Sequence, residues 1–275
     1  MSVLCDRQQS KEIRISMDNR KKAEAEVIRI VSLTDGIFSM WLREEQMAST
    51  AVPGQFASFY SKDGSRLLPR PISICECKPE EGLVRFVFRV AGKGTEEFSH
   101  LTAGDKVEVL GPLGNGYRLE GENVLLFGGG IGIPPMLFLA RKLHEQGIRV
   151  QTVLGYRGGD LFLKEEFEPY GTVYVATEDG SAGVRGNVID AAVQAGLGAD
   201  CIYACGPTPM LKGIRDYARN KEIPAQISLE EKMACGIGAC LACVCQSKEK
   251  DEHSNVNNKR ICKDGPVFYA DEIIL

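Results

Sequence analysis

The placement of four cysteines constrains this chain more than any other feature of its sequence. Cys235, Cys240 and Cys243 follow the spacing C-x4-C-x2-C, and Cys262 comes after 18 intervening residues. This is the plant-type spacing for a 2Fe-2S cluster, in which three thiolates on one tight loop and a distant fourth hold two irons. The residues between the first three cysteines (Gly236, Ile237, Gly238, Ala239, Leu241 and Ala242) are mostly small. Small residues let backbone N–H groups approach the sulfurs and set the redox potential. A structural zinc site would want two C-x-x-C knuckles, and only Cys240 and Cys243 form one. A zinc-stabilised interaction module therefore stands as the competing reading. Cys245, two residues past Cys243, reads as an ordinary buried thiol, with replacement of a ligand as the alternative.

A cluster loop needs a scaffold, and 275 residues are enough for two or three domains. With 44% hydrophobic and 25% charged residues the composition is that of a soluble globular protein. The longest stretch without a charge, 123–140, contains four Gly and two Pro and falls short of the ~20 apolar residues of a membrane span. The first 16 residues lack an apolar core of the kind a secretion signal carries, so the ten cysteines read as thiols or metal ligands of a cytoplasmic protein. A net charge of -4, with no clustered Lys or Arg, argues against nucleic acid as a partner.

Hydrophobic patterning divides the chain into a leader and three segments. Residues 1–22 are polar and are expected to be frayed, and Met17 is an alternative start. From 23 to 118, short apolar runs (27–31, 37–42, 55–60, 83–90, 106–110) alternate with turn clusters such as Thr34-Asp35-Gly36 and Ala103-Gly104-Asp105. Strands at that spacing predict a small antiparallel β-barrel. From 119 to 228 the period changes. Strands at 124–127, 150–154, 173–176 and 201–205 alternate with helices at 135–144, 188–195 and 208–219, which predicts a Rossmann-like parallel α/β sheet. From 229 to 275 the composition shifts again, with five cysteines between 235 and 262. That segment reads as a small cofactor-held module.

Two glycine turns fall at strand ends of the α/β segment. Gly128, Gly129, Gly130 and Gly132, followed by Pro134 and Pro135, open a helix whose free N–H groups favour a phosphate. The run departs from G-x-G-x-x-G, and alone it is equally a tight strand-to-helix turn. Cys205, Gly206 and Pro207 end a later strand, with Thr208 placed to cap the next helix, which Met210 enters. Ligands of open α/β sheets bind outside the carboxyl ends of the strands, so both turns should line one nucleotide crevice. Cys205 reads either as a small core residue or as a contact near a nicotinamide, and not as a nucleophile, since no His or Lys stands nearby to activate it.

In the barrel segment, Arg70, Pro71, Ile72 and Ser73 follow a turn, and Gly94 and Thr95 precede a short helix expected at 96–101. An Arg fork can hold a diphosphate bidentately, and Gly94 and Thr95 offer backbone and hydroxyl donors to the same group. Ser73 could hydrogen-bond a ring nitrogen. A surface ion pair is the plainer reading of Arg70.

With Arg-Pro-x-Ser, Gly-Gly-Gly-x-Gly-x-x-Pro and Cys-Gly-Pro in this order, the chain resembles the ferredoxin-NADP reductase superfamily. The run 230–245 around the first three cysteines, with Cys262-Lys263-Asp264-Gly265-Pro266 after it, narrows the resemblance to the electron-transfer subunits of class 1B dihydroorotate dehydrogenases, over residues 23–275. The resemblance implies FAD contacts at Arg70, Pro71, Ile72, Ser73, Phe88, Arg89, Val90, Gly94 and Thr95. It implies NAD contacts at the two glycine turns, and cluster ligation by Cys235, Cys240, Cys243 and Cys262. It also implies an FMN-containing dihydroorotate dehydrogenase catalytic subunit as partner in a heterotetramer, with electrons running from dihydroorotate through FMN, cluster and FAD to NAD. Within the same superfamily, a subunit of an NADH-ferredoxin or sulfide dehydrogenase is the rival. The leader 1–22 and the longer insert before Cys262 depart from the family pattern.

Overall fold

The protein is described by a computed structural model covering residues 21–250 and 255–275. The expectations for residues 1–20, including the alternative start at Met17, lie outside the described residues. Lys21 and Lys22, placed in the leader from sequence, instead begin the first strand, where they pair with Gly111 and Leu110.

Six antiparallel strands close a barrel: β1 (Lys21–Thr34), β2 (Ile37–Arg43), β3 (Phe56–Tyr60), β4 (Arg70–Lys78), β5 (Leu83–Arg89) and β6 (Lys106–Leu113). Around the barrel they run β1-β2-β5-β4-β3-β6, and β1 pairs with β6 to complete the ring. Side chains alternate across each strand. In β5, Val84, Phe86 and Phe88 fill the barrel, where Phe59 meets Phe86 edge-on at 4.8 Å between ring centres. Arg85 and Val87 point the other way but are buried too, because the α/β segment covers that face. A short helix after β2, α1 (Glu45–Thr50), has no counterpart in the sequence reading; the Glu44 carboxylate caps it by accepting from Met47 N at 2.5 Å. The helix expected at 96–101 is α2 (Lys93–Ser99) and begins earlier, because the Thr95 hydroxyl accepts from Ala91 N and Gly92 N and closes the turn there.

The second sheet is built on β7 (Asn123–Gly129), α3 (Ile133–Glu145), β8 (Arg149–Tyr156), α4 (Lys164–Phe167), β9 (Thr172–Thr177), β10 (Val184–Arg185), α5 (Val188–Gln194), β11 (Cys201–Cys205), α6 (Thr208–Asn220) and β12 (Ala225–Ser228). Neighbouring strands among these are parallel, in the order β10-β9-β8-β7-β11-β12. A strand covered on both faces reads as an unbroken apolar run, and β7 and β11 do so. Pro134 and Pro135 sit in the first turn of α3, where missing N–H groups leave no intrahelical partner unpaired. Thr208 does not cap α6: Pro207 occupies the cap position, with no side-chain hydrogen bond.

After β12 the chain forms the cysteine loop and a small hairpin of β13 (Val244–Gln246) and β14 (Asn258–Arg260). It then returns as β15 (Val267–Tyr269), antiparallel to β12 at the edge of the large sheet. The segment drawn from sequence as a separate C-terminal module thus supplies the sheet's seventh strand. No described helix is long and apolar enough to cross a membrane.

Ion pairs anchored on the buried Arg85 and the half-buried Arg141 join barrel to sheet. Arg85 of β5 grips Glu166 of α4 through two nitrogens, at 2.5 and 3.0 Å, while its Nε donates to Ser39 Oγ at 2.8 Å. Arg141 of α3 reaches Glu76 at 3.1 Å and the Cys77 carbonyl at 2.6 Å. The barrel core itself rests on Phe86, which is fully buried. Phe86→Ala is expected to cost about 3 to 5 kcal/mol, read as a lowered denaturant midpoint of the cofactor-loaded protein.

Candidate functional site

Three features converge where barrel, sheet and cysteine loop meet. The first is a crevice of about 1160 Å³ at the carboxyl ends of β7, β8 and β11. Gly129, Gly130, Gly132, Gly206, Pro207 and Met210 all line it, so the two glycine turns share one wall. Their closeness explains the glycine at 132: a Cβ there would stand 2.4 Å from the Cys205 carbonyl oxygen. Met210 leans over Gly129 and Gly206. Gly128 is buried beneath, paired with Cys205 on one side and Leu154 on the other. Cys205 is also buried, and burial pushes its thiol far above the usual range, so it packs as a neutral group beneath the turns.

Several crevice residues were not singled out by sequence reasoning. Glu178 follows β9, Asn187 and Asp190 open α5, and Glu230 follows β12. They come from three different elements; Asn187 and Asp190 form the capping box of α5, and no local motif marks Glu178 or Glu230. Protein atoms crowding the crevice raise the carboxyl of Glu230, itself still exposed, and the Arg89 guanidinium offsets only part of that rise. Arg89, Thr34, Asp35 and Ile37 bring the barrel's rim into the same crevice.

The second feature surrounds β4. Arg70 makes no ion pair among the described residues; its Nη1 donates to the carbonyls of Leu68 at 2.5 Å and Arg66 at 3.5 Å. The guanidinium lies over the first turn of α2, so close that a Cβ on Gly94 would meet Arg70 Nε at 2.0 Å. Arg66 steadies the preceding loop by bonding Glu97 at 2.6 Å and the Lys93 carbonyl at 2.7 Å. Pro71 and Ser73 are half-buried on the outer face, while Ile72 enters the barrel. Two expected contacts differ from the sequence reading. The Phe88 side chain packs inside the barrel against Phe38 and Phe98, leaving only its backbone for a ligand. The Thr95 hydroxyl donates to the Gly92 carbonyl at 3.0 Å and so is engaged in its own turn. Val90 is half-buried, its N–H tied to the Gly36 carbonyl at 2.8 Å.

The third feature is the cysteine loop. Ile237 N and Ala239 N donate to Cys235 Sγ at 3.5 and 3.2 Å, Gly238 N to Cys262 Sγ at 3.1 Å, and Cys262 N to Cys243 Sγ at 3.4 Å. The thiols pair, Cys235 with Cys240 and Cys243 with Cys262. Among the described residues no group of three or more His, Cys, Asp or Glu side chains converges as a single ion's shell needs. Two thiol pairs ringed by N–H donors suit two irons. Burial raises the Cys235 thiol, but the N–H groups of Ile237, Cys240 and Ala239 and the Cys240 thiol outweigh it and hold it at about 6. Arg260, bonded to Asp264 at 3.1 Å and reaching the Gly238 carbonyl at 3.4 Å, braces the loop. Cys245 lies half-buried on β13 with its Sγ 3.5 Å from the Lys259 carbonyl.

Comparison with known proteins places these features. Residues 230–274 match the family model of the iron-sulfur cluster binding domain of dihydroorotate dehydrogenase B. A ferredoxin NADP+ reductase from Neisseria gonorrhoeae, solved with bound FAD and NADP, shares the fold over 73% of this chain and 91% of its own, with TM-score 0.62 and 14% identity. The structure of an NADH-dependent reduced ferredoxin-NADP oxidoreductase gives TM-score 0.83 at 35% identity, covering 92% of this chain and 90% of that one. Barrel, parallel sheet and iron-sulfur module together define a ferredoxin-NADP reductase-like oxidoreductase. The dihydroorotate dehydrogenase B (NAD(+)) electron transfer subunit of Shouchella clausii is 42% identical over 262 residues, 93% of this chain and 99% of that protein. This chain belongs to the family of dihydroorotate dehydrogenase B electron transfer subunits.

Arg70→Ala and Gly94→Ala test the second feature together, one removing the guanidinium and the other displacing it. Loss of a charged hydrogen-bond donor costs about 1.5 to 3 kcal/mol, so flavin titration should show FAD affinity falling roughly ten- to a hundred-fold in both.

Proposed function

We propose that this chain is the electron-transfer subunit of an NAD-linked dihydroorotate dehydrogenase of pyrimidine biosynthesis. It takes electrons from the FMN of a catalytic subunit and passes them to NAD+, with a 2Fe-2S cluster and FAD as its resident carriers. The observation that carries the reading is the order of the three features in space. Pro71 on β4 stands beside Ser58 on β3, Ser58 lies against Gly236 of the cysteine loop, and Arg89 on β5 reaches the crevice wall. A flavin on the outer face of β4 would therefore lie between the cluster loop and the nicotinamide.

Nicotinamide exchanges a hydride and the cluster single electrons, and a flavin handles both. The chain's own residues hold and orient. Cys235, Cys240, Cys243 and Cys262 are assigned to the cluster, Arg70 and the α2 turn to the flavin diphosphate, and Ser73 to the ring. The turns Gly128 to Gly132 and Cys205 to Pro207, with Met210, are assigned to NAD. The dihydroorotate site is assigned to the partner, and two of each chain form the assembly. A cytoplasmic location fits the nine described cysteines, none of them in a disulfide. The 42% identity over almost the full length of a dihydroorotate dehydrogenase B subunit favours this reading over the NADH-ferredoxin type.

Two experiments test it. Each of Cys235→Ser, Cys240→Ser, Cys243→Ser and Cys262→Ser should lose iron by metal analysis, while Cys245→Ser keeps it; the reverse pattern would overturn the ligand assignment. The isolated, cofactor-loaded chain should reduce artificial acceptors with NADH, yet leave dihydroorotate untouched until the FMN-bearing subunit is added. Turnover of dihydroorotate by the single chain would refute the division of labour.

A further inference from the structure

Ser58 is a buried hydroxyl without a partner, at the seam between the barrel and the cysteine loop. Its side chain is fully buried, and its Oγ finds no hydrogen bond. Its neighbours on β3, Ala57 and Phe59, point into the barrel core, so Ser58 faces outward. What covers it is the loop: a Cβ on Gly236 would stand 2.8 Å from Ser58 Oγ, and Leu113 lies beside it. Gly236 has φ +70° and follows Cys235 directly. Across the strands Ser58 sits opposite Pro71, which has no N–H to offer it.

A hydroxyl shut away from water is destabilising unless something accepts its proton. The residue that covers it, Gly236, follows Cys235 directly, so the loop facing the hydroxyl is the one that carries the sulfurs. Backbone N–H groups of Ile237, Gly238, Ala239 and Cys262 already point at the cysteine sulfurs, all from the cysteine segment itself. Ser58 would add a donor from the flavin-side barrel. We propose that Ser58 is a positioning residue of the electron path: its hydroxyl donates to a sulfur of the 2Fe-2S centre held by this loop and raises the potential at which that centre accepts an electron. A hydrogen bond to sulfur stabilises the reduced, more negative cluster, and this is one of the means by which a protein sets such potentials. The inference rests on the iron-sulfur reading above and deepens it, since it places one determinant of the cluster potential on a barrel strand.

The test uses the holo-subunit carrying FAD and cluster. Ser58→Ala removes the hydroxyl and leaves a side chain that fits the same space. Its iron and flavin contents should match the parent. In an EPR-monitored redox titration the reduction equilibrium of the cluster should shift three- to tenfold toward the oxidised form, about 30 to 60 mV lower for one electron. The parent's reduced cluster should show, by pulsed hyperfine spectroscopy, a proton coupling that fades slowly in D2O and is absent from Ser58→Ala. An unchanged cluster potential overturns the proposal, as does a shift confined to the flavin. If Ser58→Ala assembles no cluster, Ser58→Cys, whose S–H is a weaker donor, decides: a cluster potential below the parent's supports the proposal and an equal potential overturns it. A parent with no 2Fe-2S signal at all would instead sink the iron-sulfur reading, so the two failures are distinct.

Discussion

The main-chain pairing of β15 with β12 holds the rest of the molecule in register. Gln226 pairs with Tyr269, Ile227 with Phe268 and Ser228 with Val267, and Leu229 N continues the ladder to the Pro266 carbonyl at 2.9 Å. These bonds bring together the two ends of the segment that carries Cys235 and Cys262. Without them the fourth cysteine would have no fixed position relative to the first three. The same rung anchors the stretch between β6 and β7, where Asn115 N donates to the Gly265 carbonyl at 2.6 Å and Asn115 Nδ2 reaches the Lys263 and Asp264 carbonyls. Barrel, sheet and cysteine loop thus meet at one small junction, stitched by backbone groups and the Asn115 side chain.

A second junction works by charge. Arg85, Glu166, Glu76 and Arg141 form a chain of ion pairs between β5 and β4 on one side and α4 and α3 on the other. Arg85 is buried while Glu166 is exposed, so the pairs contribute little net stability, desolvation of the buried partner offsetting their attraction. Their geometry holds the barrel rim, with Arg89, against the glycine turns. The crevice exists because two separately folded surfaces face each other at fixed distance.

Much of this was legible in the sequence where the governing interaction is local. Cysteine spacing, a glycine run between an apolar strand and a helix, and the change from strand-like to alternating pattern at Val124 all depend on residues close in the chain. The illegible parts are those where distant residues decide. Val267 to Tyr269 look like the tail of a cysteine module, and only the free edge of β12 makes them a strand of the sheet. Phe88 stands next to Arg89 in the flavin motif of the family, yet strand alternation turns it into the barrel. Thr95 reads as a free donor until the turn at Gly92 claims its hydroxyl. Glu178 and Glu230 reach the crevice from two elements and carry no motif, and the capping pair Asn187 and Asp190 marks a helix start without marking a site. Cys205 and Ser58 differ in the same way: burial, which no spacing reveals, turns one into packing and leaves the other waiting for an acceptor.

The segment after β12 does two things within a few residues. Glu230 forms part of the crevice wall, and Cys235 begins the cysteine loop five positions later. Met233 between them is buried in the core of the sheet. Such a strap has no slack. Crevice wall and cysteine loop are therefore placed by one short stretch of backbone, pinned at Met233, so a change in its path would move both.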